Sequence, residues 1–336
     1  MRDYSGLDLR TRLFCMALDA TIRRRPVERK TLADIQAERA VTTPKRPPFT
    51  WVEGAVPRSV GITYGTAEAR DGYEIPLRLY CPRAIKDVQT DVPIVLWFHG
   101  GGWVEGNVVS YDSICGFLAE QVGAVVVSVD YRLAPEHPAP TAAYDAVDAT
   151  RWVVAHAAVL RANPARLAVA GDSAGGNLAA VVAQQLRDEL PITAQLLVYP
   201  ATDLTLGSPS LEENARAAIL TLDSVHAFRD HYLGAGTAAA PRLDEADPLV
   251  SPLFGDVAGV APALVQTADK DPIRDDGLRY AERLRAAGVP VRVTNYLGVP
   301  HGFLSFPGAT TIGRQARAEM VQELRARLGV PRGADG

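Results

Sequence analysis

Arg166-Leu167-Ala168-Val169-Ala170-Gly171-Asp172-Ser173-Ala174-Gly175-Gly176 is the stretch on which the reading of this chain turns. An apolar run of strand character enters a serine flanked by glycine two residues to either side, and the residues that follow, 174–190, have helix composition. A G-x-S-x-G at a strand-to-helix turn presents the serine as a nucleophile on a tight corner. Side chains at Gly171 or Gly175 would collide with the neighbouring strand and helix, so both positions call for glycine. Ser173 would stand at the positive end of the following helix, a favourable place for an anionic intermediate. By average residue usage such a pentapeptide arises on the order of 0.1 times by chance in a chain of this length. Its company therefore decides what it means.

Outward from that turn, the sequence alternates. Apolar runs at 94–98, 124–129, 167–170, 196–199, 263–267 and 291–296 read as strands, and helical patterns lie between them, for example at 144–160 and 278–287. Continuous Val/Ile/Leu strands separated by helices predict a parallel sheet covered on both faces. Two earlier runs, 60–66 and 75–80, are joined through Asp71-Gly72, a favoured hairpin turn. Residues 1–40 read as helical, with Leu9, Leu13, Phe14, Ala17, Leu18 and Ile22 at helical spacing, and Pro44, Pro47, Pro48 and Pro57 punctuate a linker. The alternation breaks once, over residues 204–247, which contain helical segments and no clear strand. An insertion after the strand ending at Tyr199-Pro200 sits where ligand sites of open α/β sheets gather. The expected organisation is a catalytic domain of residues 51–203 and 248–330, with residues 1–50 and the insertion 204–247 forming a helical cap.

Composition narrows the classes. The 336 residues include 47% hydrophobic and 22% charged residues, enough for a sizeable core. The net charge of −4, with both signs well mixed, argues against a nucleic-acid surface. The local cluster Arg23-Arg24-Arg25 reads as a solvated helix face. Cys15, Cys81 and Cys115 are scattered and odd in number, and read as free thiols. No run approaches the roughly 18 apolar residues of a membrane span. The apolar run from Leu13 to Leu18 is short, is broken by Asp19 and lacks a cleavage site, so a cytoplasmic location is expected. No metal-ligand spacing and no nucleotide-binding glycine pattern occurs, so neither metal nor cofactor is expected.

A nucleophilic serine needs a base, and the base an orienting acid. Three histidines follow Ser173: His226 and His231 in the insertion, and His301 in the loop after the last strand. The chain order Ser, acid, His of this turn type favours His301. The acid should leave the preceding strand, where Ala268-Asp269-Lys270-Asp271-Pro272-Ile273-Arg274-Asp275-Asp276 offers four carboxylates. Asp275 and Asp276 suit the first turn of the next helix. Asp269 lies nearest the strand end and Asp271 is directed by the proline after it; spacing leaves these two tied. His99-Gly100-Gly101-Gly102-Trp103, directly after the strand 94–98, would let backbone N–H groups approach a developing negative charge.

Five motifs in order, His99-Gly-Gly-Gly-Trp103, Asp130-Tyr-Arg-Leu-Ala-Pro-Glu136, Gly171-Asp-Ser-Ala-Gly-Gly176, Asp271-Pro-Ile-Arg-Asp-Asp-Gly277 and His301-Gly-Phe303, closely resemble the hormone-sensitive-lipase-like esterases, bacterial family IV of the α/β-hydrolases. The resemblance spans residues 60 to 325. It implies an α/β-hydrolase fold with a mostly parallel eight-stranded sheet and a helical cap. It maps the acid to Asp271, the residue directly before the proline. It implies a triad of Ser173, Asp271 and His301, an oxyanion hole from the N–H groups of Gly101, Gly102 and Ala174, and loop support from His99 and Gly100. One oxyanion donor is typically worth about 2.7–4 kcal/mol. Asp130, Tyr131, Arg132 and Glu136 are expected to pin loops, and Asp172 to contact the glycine loop. Val299-Pro300 stiffens the approach to His301, and the N-terminal region carries no family motif.

The activity expected is hydrolysis of short to medium acyl esters, with Leu220, Phe228 and Tyr232 as candidates for the acyl pocket. An acyltransferase or specialised deacetylase with the same triad is the alternative. A ligand-binding receptor on this fold would lack the base, and a long-chain lipase would show an apolar lid anchor. The expected partner is a small ester, with no nucleic acid and a homodimer admissible.

Overall fold

The computed structural model describes residues 2–21, 26–84, 91–235 and 243–331. Its framework is one eight-stranded sheet, and every strand falls on an apolar run named above. In chain order these are β1 (Val60–Glu68), β2 (Glu74–Pro82), β3 (Val92–Phe98), β4 (Val125–Val129), β5 (Ala162–Asp172), β6 (Ile192–Val198), β7 (Ala263–Lys270) and β8 (Val291–Pro300). Across the sheet the order is β1-β2-β4-β3-β5-β6-β7-β8. The β1–β2 hairpin and the β2–β4 pair are antiparallel, and all other pairs are parallel. The hairpin turns at Gly72, whose φ of 80° only glycine adopts freely, and the Ala69 N–H closes it on Tyr73 O at 2.8 Å.

The helices are α1 (Leu9–Thr21), α2 (Leu32–Arg39), α3 (Phe49–Glu53), α4 (Asp112–Leu118), α5 (Thr141–Ala155), α6 (Ala174–Gln185), α7 (Ser210–Glu213), α8 (Leu222–Tyr232), α9 (Arg274–Ala286) and α10 (Gly313–Arg327). α6 stops five residues short of the composition-based end at 190. Pro191 disfavours helix in the residue before it, and the chain turns there into β6. The segment 204–247 contains α7 and α8 and, among the described residues, no strand. Arg23-Arg24-Arg25 and Ile22 lie outside the described residues.

The N-terminal apolar spacing falls on a helix, α1, but that spacing does not mark its packed face: Leu9 and Leu13 are 63% and 58% exposed. The face that packs is Leu7, Thr11 and Cys15, with Phe14 and Leu18 half-buried. Thr11 goes inside because its hydroxyl donates to Asp8 Oδ2 at 2.5 Å, which satisfies the polar atom. Apolar periodicity marks a helix but does not choose which neighbour that helix meets.

Core side chains divide by strand parity. Ile94, Leu96 and Phe98 of β3 join Val127, Val129 and Val169 on one face, and Val95 and Trp97 join Ala168 and Ala170 on the other. The register then sets the functional edge. Phe98 pairs with Gly171, Asp172 with Val198 and Lys270 with Pro300. The residues that follow these pairs, the glycine loop, Ser173, Asp271 and His301, therefore emerge side by side at the carboxyl edge, the expected place for a ligand. Among the described residues no helix is long and apolar enough to cross a membrane.

Candidate active site

Ser173 occupies the corner between β5 and α6 with φ 56° and ψ −120°. A non-glycine residue there stores roughly 1–3 kcal/mol of strain, which its surroundings must offset. They do so through the backbone: Ser173 N–H donates to Val198 O at 2.8 Å, and Ser173 O accepts from Asn177 N at 3.0 Å and Ala201 N at 3.3 Å. The flanking glycines are required by contact. A Cβ on Gly175 would overlap the carbonyl oxygen of Phe98, and one on Gly171 the carbonyl oxygen of Gly175.

His301 Nε2 stands 3.0 Å from Ser173 Oγ, and His301 Nδ1 stands 2.7 Å from Asp271 Oδ2. Asp271 is fully buried and His301 is 7% exposed, while Ser173 keeps partial access to solvent. The other oxygen of Asp271 accepts from Ile273 N at 3.0 Å, and Asn214 Nδ2 donates to the carbonyls of Asp269 and Asp271 at 3.3 and 3.2 Å. The Tyr199 ring, 4.5 Å from the imidazole, packs against its side.

The other carboxylates of this stretch go elsewhere. Asp269 accepts from Val299 N at 3.3 Å, bracing the strand end before His301. Asp275 pairs with Arg274 at 2.7 Å. Asp276, in the first turn of α9, accepts from Thr202 N at 3.0 Å, Asp203 N at 3.1 Å and Ser208 Oγ at 3.0 Å. Burial, reinforced by the charge of Asp203, pushes its carboxyl up to about 8. Because this folded-state value lies above the unfolded one, the folded chain keeps the proton longer. The stability this group contributes is full below about pH 4 and is lost as pH rises through about 8. Asp276→Asn is therefore expected to flatten the curve: between about pH 5 and 8.5 the wild-type melting temperature should fall by about 2 °C or more relative to the variant. Parallel curves by scanning calorimetry would rule this out.

The loop after β3 lies against the serine corner. His99 is fully buried, stacks on Tyr131 at 4.5 Å and donates from Nδ1 to Gly100 O at 2.8 Å. Burial holds its pKa below the usual imidazole value, so it is neutral and acts as a strut. Gly101 and Gly102 have φ of 119° and 60°, and Gly101 O accepts from Val104 N and Glu105 N at 3.1 and 2.8 Å. No acceptor among the described residues meets the N–H of Gly101, Gly102 or Ala174. Trp103 stacks face to face on Tyr232 at 4.3 Å, and the Phe228 ring of α8 lies where a Cβ on Gly102 would be. Of the three acyl-pocket candidates, Tyr232 is buried under Trp103, Leu220 is 9% exposed, and Phe228 abuts the glycine loop.

The loop-pinning residues are also in contact. Tyr131 O–H donates to His99 O at 2.6 Å, Arg132 holds buried Asp145 at 2.7 Å, and Glu136 pairs with Arg39 of α2 at 2.8 Å. Asp130 contributes its backbone N–H to Pro76 O at 3.0 Å. Tyr111, Tyr199 and Asn214 were not identified from sequence; none lies in a motif with a spacing rule, though Tyr199 ends a recognised strand. Among the described residues no three His, Cys, Asp or Glu side chains converge as metal ligands.

Comparison with known proteins places these contacts in context. Residues 95–305 match a family model described as alpha/beta hydrolase fold. The chain is 44% identical over 264 residues to Esterase LipI of Mycobacterium tuberculosis, covering 77% of this chain and 81% of that one. It is 38% identical over 263 residues to an ethyl acetate hydrolase of Pseudomonas putida, covering 77% and 80%. Among solved structures it is similar to a hyperthermophilic esterase from the archaeon Pyrobaculum calidifontis, with TM-score 0.80, 36% identity and coverage of 96% and 98%. A thermostable esterase from Pseudomonas putida gives TM-score 0.82 at 31% identity, covering 97% and 99%.

Proposed function

The chain belongs to the hormone-sensitive-lipase-like esterases of the α/β-hydrolase fold and is a carboxylesterase, and we propose that it hydrolyses short to medium acyl esters through an acyl-enzyme on Ser173. Ser173 Oγ attacks the ester carbonyl as its proton passes to His301 Nε2. The carbonyl oxygen becomes an oxyanion and takes hydrogen bonds from the N–H groups of Gly101, Gly102 and Ala174. The tetrahedral intermediate collapses, the C–O bond to the alcohol breaks, and His301 returns the proton to the leaving oxygen. Water then attacks the acyl carbon as His301 Nε2 takes its proton. The second tetrahedral intermediate collapses, the bond to Ser173 Oγ breaks as His301 returns that proton to Oγ, and the carboxylic acid is released. Asp271 accepts from Nδ1 throughout, keeping Nε2 unprotonated in the resting enzyme and stabilising the imidazolium when it forms.

The observation that carries this reading is the Ser173–His301–Asp271 relay at 3.0 and 2.7 Å beside three backbone donors with no internal acceptor. An organophosphonate ester should label the protein one to one, with the adduct on the Ser173 peptide by mass spectrometry; an adduct elsewhere would reject the assignment.

The cap proposed for residues 1–50 and 204–247 draws support from their mutual packing. Leu7 and Cys15 meet Ala218, and Ser224 Oγ donates to Glu28 at 3.3 Å; the first segment also reaches the loop after β3, where Arg39 Nε donates to Val104 O at 2.7 Å. Phe228 crowds the glycine loop from that side, which favours a short acyl group. With a series of p-nitrophenyl esters, kcat/KM should peak between acetate and hexanoate and decline by decanoate. Phe228→Ala should raise the decanoate-to-butyrate ratio by about tenfold, as expected when an apolar pocket gains room for extra methylenes. An unchanged ratio would remove Phe228 from the acyl site. The free thiols Cys15, Cys81 and Cys115 agree with a reducing compartment, and we place the enzyme in the cytoplasm.

A further inference from the structure

We infer that Asp172 is a positioning residue that clamps the glycine loop to the serine corner, and that it does so as a buried carboxylate without a cationic partner. The inference rests on the Ser173 reading above and adds a residue to it. Asp172 ends β5, one residue before Ser173, and is 3% exposed. Its Oδ1 accepts from Gly100 N at 3.0 Å; its Oδ2 accepts from the Tyr111 hydroxyl at 3.1 Å and the Tyr199 hydroxyl at 3.4 Å. The Tyr111 oxygen also accepts from the same Gly100 N–H, at 2.9 Å. Gly100 is thereby held from two sides directly ahead of Gly101 and Gly102. The approach is so close that a Cβ on Gly100 would lie 2.7 Å from Asp172 Oδ2.

One carboxylate therefore touches three parts of the catalytic edge. It belongs to the strand that carries Ser173, it fixes the peptide that precedes the oxyanion donors, and it anchors the tyrosine whose ring packs on His301. All three partners are donors, and only the ionised carboxylate accepts from all of them. A carboxamide or a carboxylic acid would present a proton to at least one. A charged acceptor also makes hydrogen bonds roughly twice as strong as a neutral one, so the charge tightens the loop.

That charge destabilises the fold. Among the described residues no Lys or Arg pairs with Asp172. The titratable groups around it are Tyr111, Tyr199, Tyr131 and Cys115, all pushed up in pKa chiefly by burial and so uncharged, together with His301. Burial pushes the Asp172 carboxyl up to about 6. A folded-state value above the unfolded one means that the ionised form weakens the fold once pH passes about 6. A side chain kept only as a brace would gain from losing its charge.

Asp172→Asn separates the two roles. At about pH 8 the variant should melt at or above the wild-type temperature, because an unpaired buried charge is gone. Its kcat on p-nitrophenyl butyrate should fall by about tenfold or more. Affinity for a trifluoromethyl ketone, whose serine adduct places an oxyanion among the loop donors, should fall by a similar factor, with KM changed by less than about twofold. Ketone affinity within about twofold of wild type, or KM and ketone affinity weakened in equal proportion, would overturn the positioning role. A lower melting temperature at about pH 8 would overturn the unpaired-charge account. Should Asp172→Asn fail to fold, Tyr111→Phe keeps the carboxylate and removes one anchor; its ketone affinity should fall about threefold or more, and an unchanged affinity overturns the clamp. Stoichiometric phosphonate labelling of Ser173 in these variants keeps this outcome distinct from a failure of the nucleophile assignment.

Discussion

Ser173→Ala is expected to lower kcat on p-nitrophenyl butyrate by about 10⁴-fold or more, to abolish the acylation burst, and to leave the melting temperature within about 2 °C of wild type. The loss is large because Oγ is the atom that His301 Nε2 addresses at 3.0 Å, and no covalent intermediate forms without it. The backbone donors of Gly101, Gly102 and Ala174 survive the substitution, so weak turnover by direct water attack remains. The fold should hold because the strain at φ 56° is a backbone property shared by serine and alanine. The three hydrogen bonds that offset it, to Val198, Asn177 and Ala201, are all main-chain. Retention of more than about a hundredth of wild-type kcat, or a phosphonate adduct on the variant, would sink the assignment.

Asp271→Asn is expected to reduce kcat by about 10³–10⁴-fold, whereas Asp269→Asn should cost no more than about tenfold. The difference follows from who occupies the far side of each carboxylate. Asp271 Oδ1 accepts from Ile273 N–H at 3.0 Å, so an asparagine there would keep its amide oxygen toward that donor. Its NH₂ then faces His301 Nδ1, which must accept rather than donate. The imidazole would carry its proton on Nε2, directed at Ser173 Oγ, and could not act as base. Among the described residues the Asp269 carboxylate makes one long hydrogen bond, from Val299 N–H, which a carboxamide oxygen can also accept. Steady-state kinetics of both variants decide the point: equal losses at the two positions would show that the loop, not the acid, was being measured.

Much of this was legible along the chain. All eight strands announced themselves as apolar runs, and the hairpin as Asp71-Gly72, because burial on both faces of a sheet and a tight turn impose demands that residue types meet locally. The glycines at 171 and 175 follow from the local sequence alone, since the turn requires a missing Cβ. Less was legible wherever the answer lay with a neighbour distant in sequence. α1 exposes Leu9 and Leu13 and buries Thr11, a choice made by Asp8 and by the helix's contact with Ala218. Tyr111 sits 61 residues before Asp172 and meets it only after β3 and β5 pair.

By itself, then, the sequence determined the α/β alternation, the serine corner and the cast of groups around it, because apolar periodicity and the need for glycine are properties of single positions and short spacings. Residue spacing left Asp269 and Asp271 tied, and only the family resemblance favoured Asp271. The tertiary structure supplies the contacts themselves, with Asp271 facing His301, the N–H groups of Gly101, Gly102 and Ala174 left without an acceptor among the described residues, and Asp172 held on both Gly100 and two tyrosine hydroxyls. These depend on register, on Phe98 lying opposite Gly171 and Lys270 opposite Pro300. A one-residue slip in either pair would exchange the faces of every following side chain, and no local pattern encodes that choice.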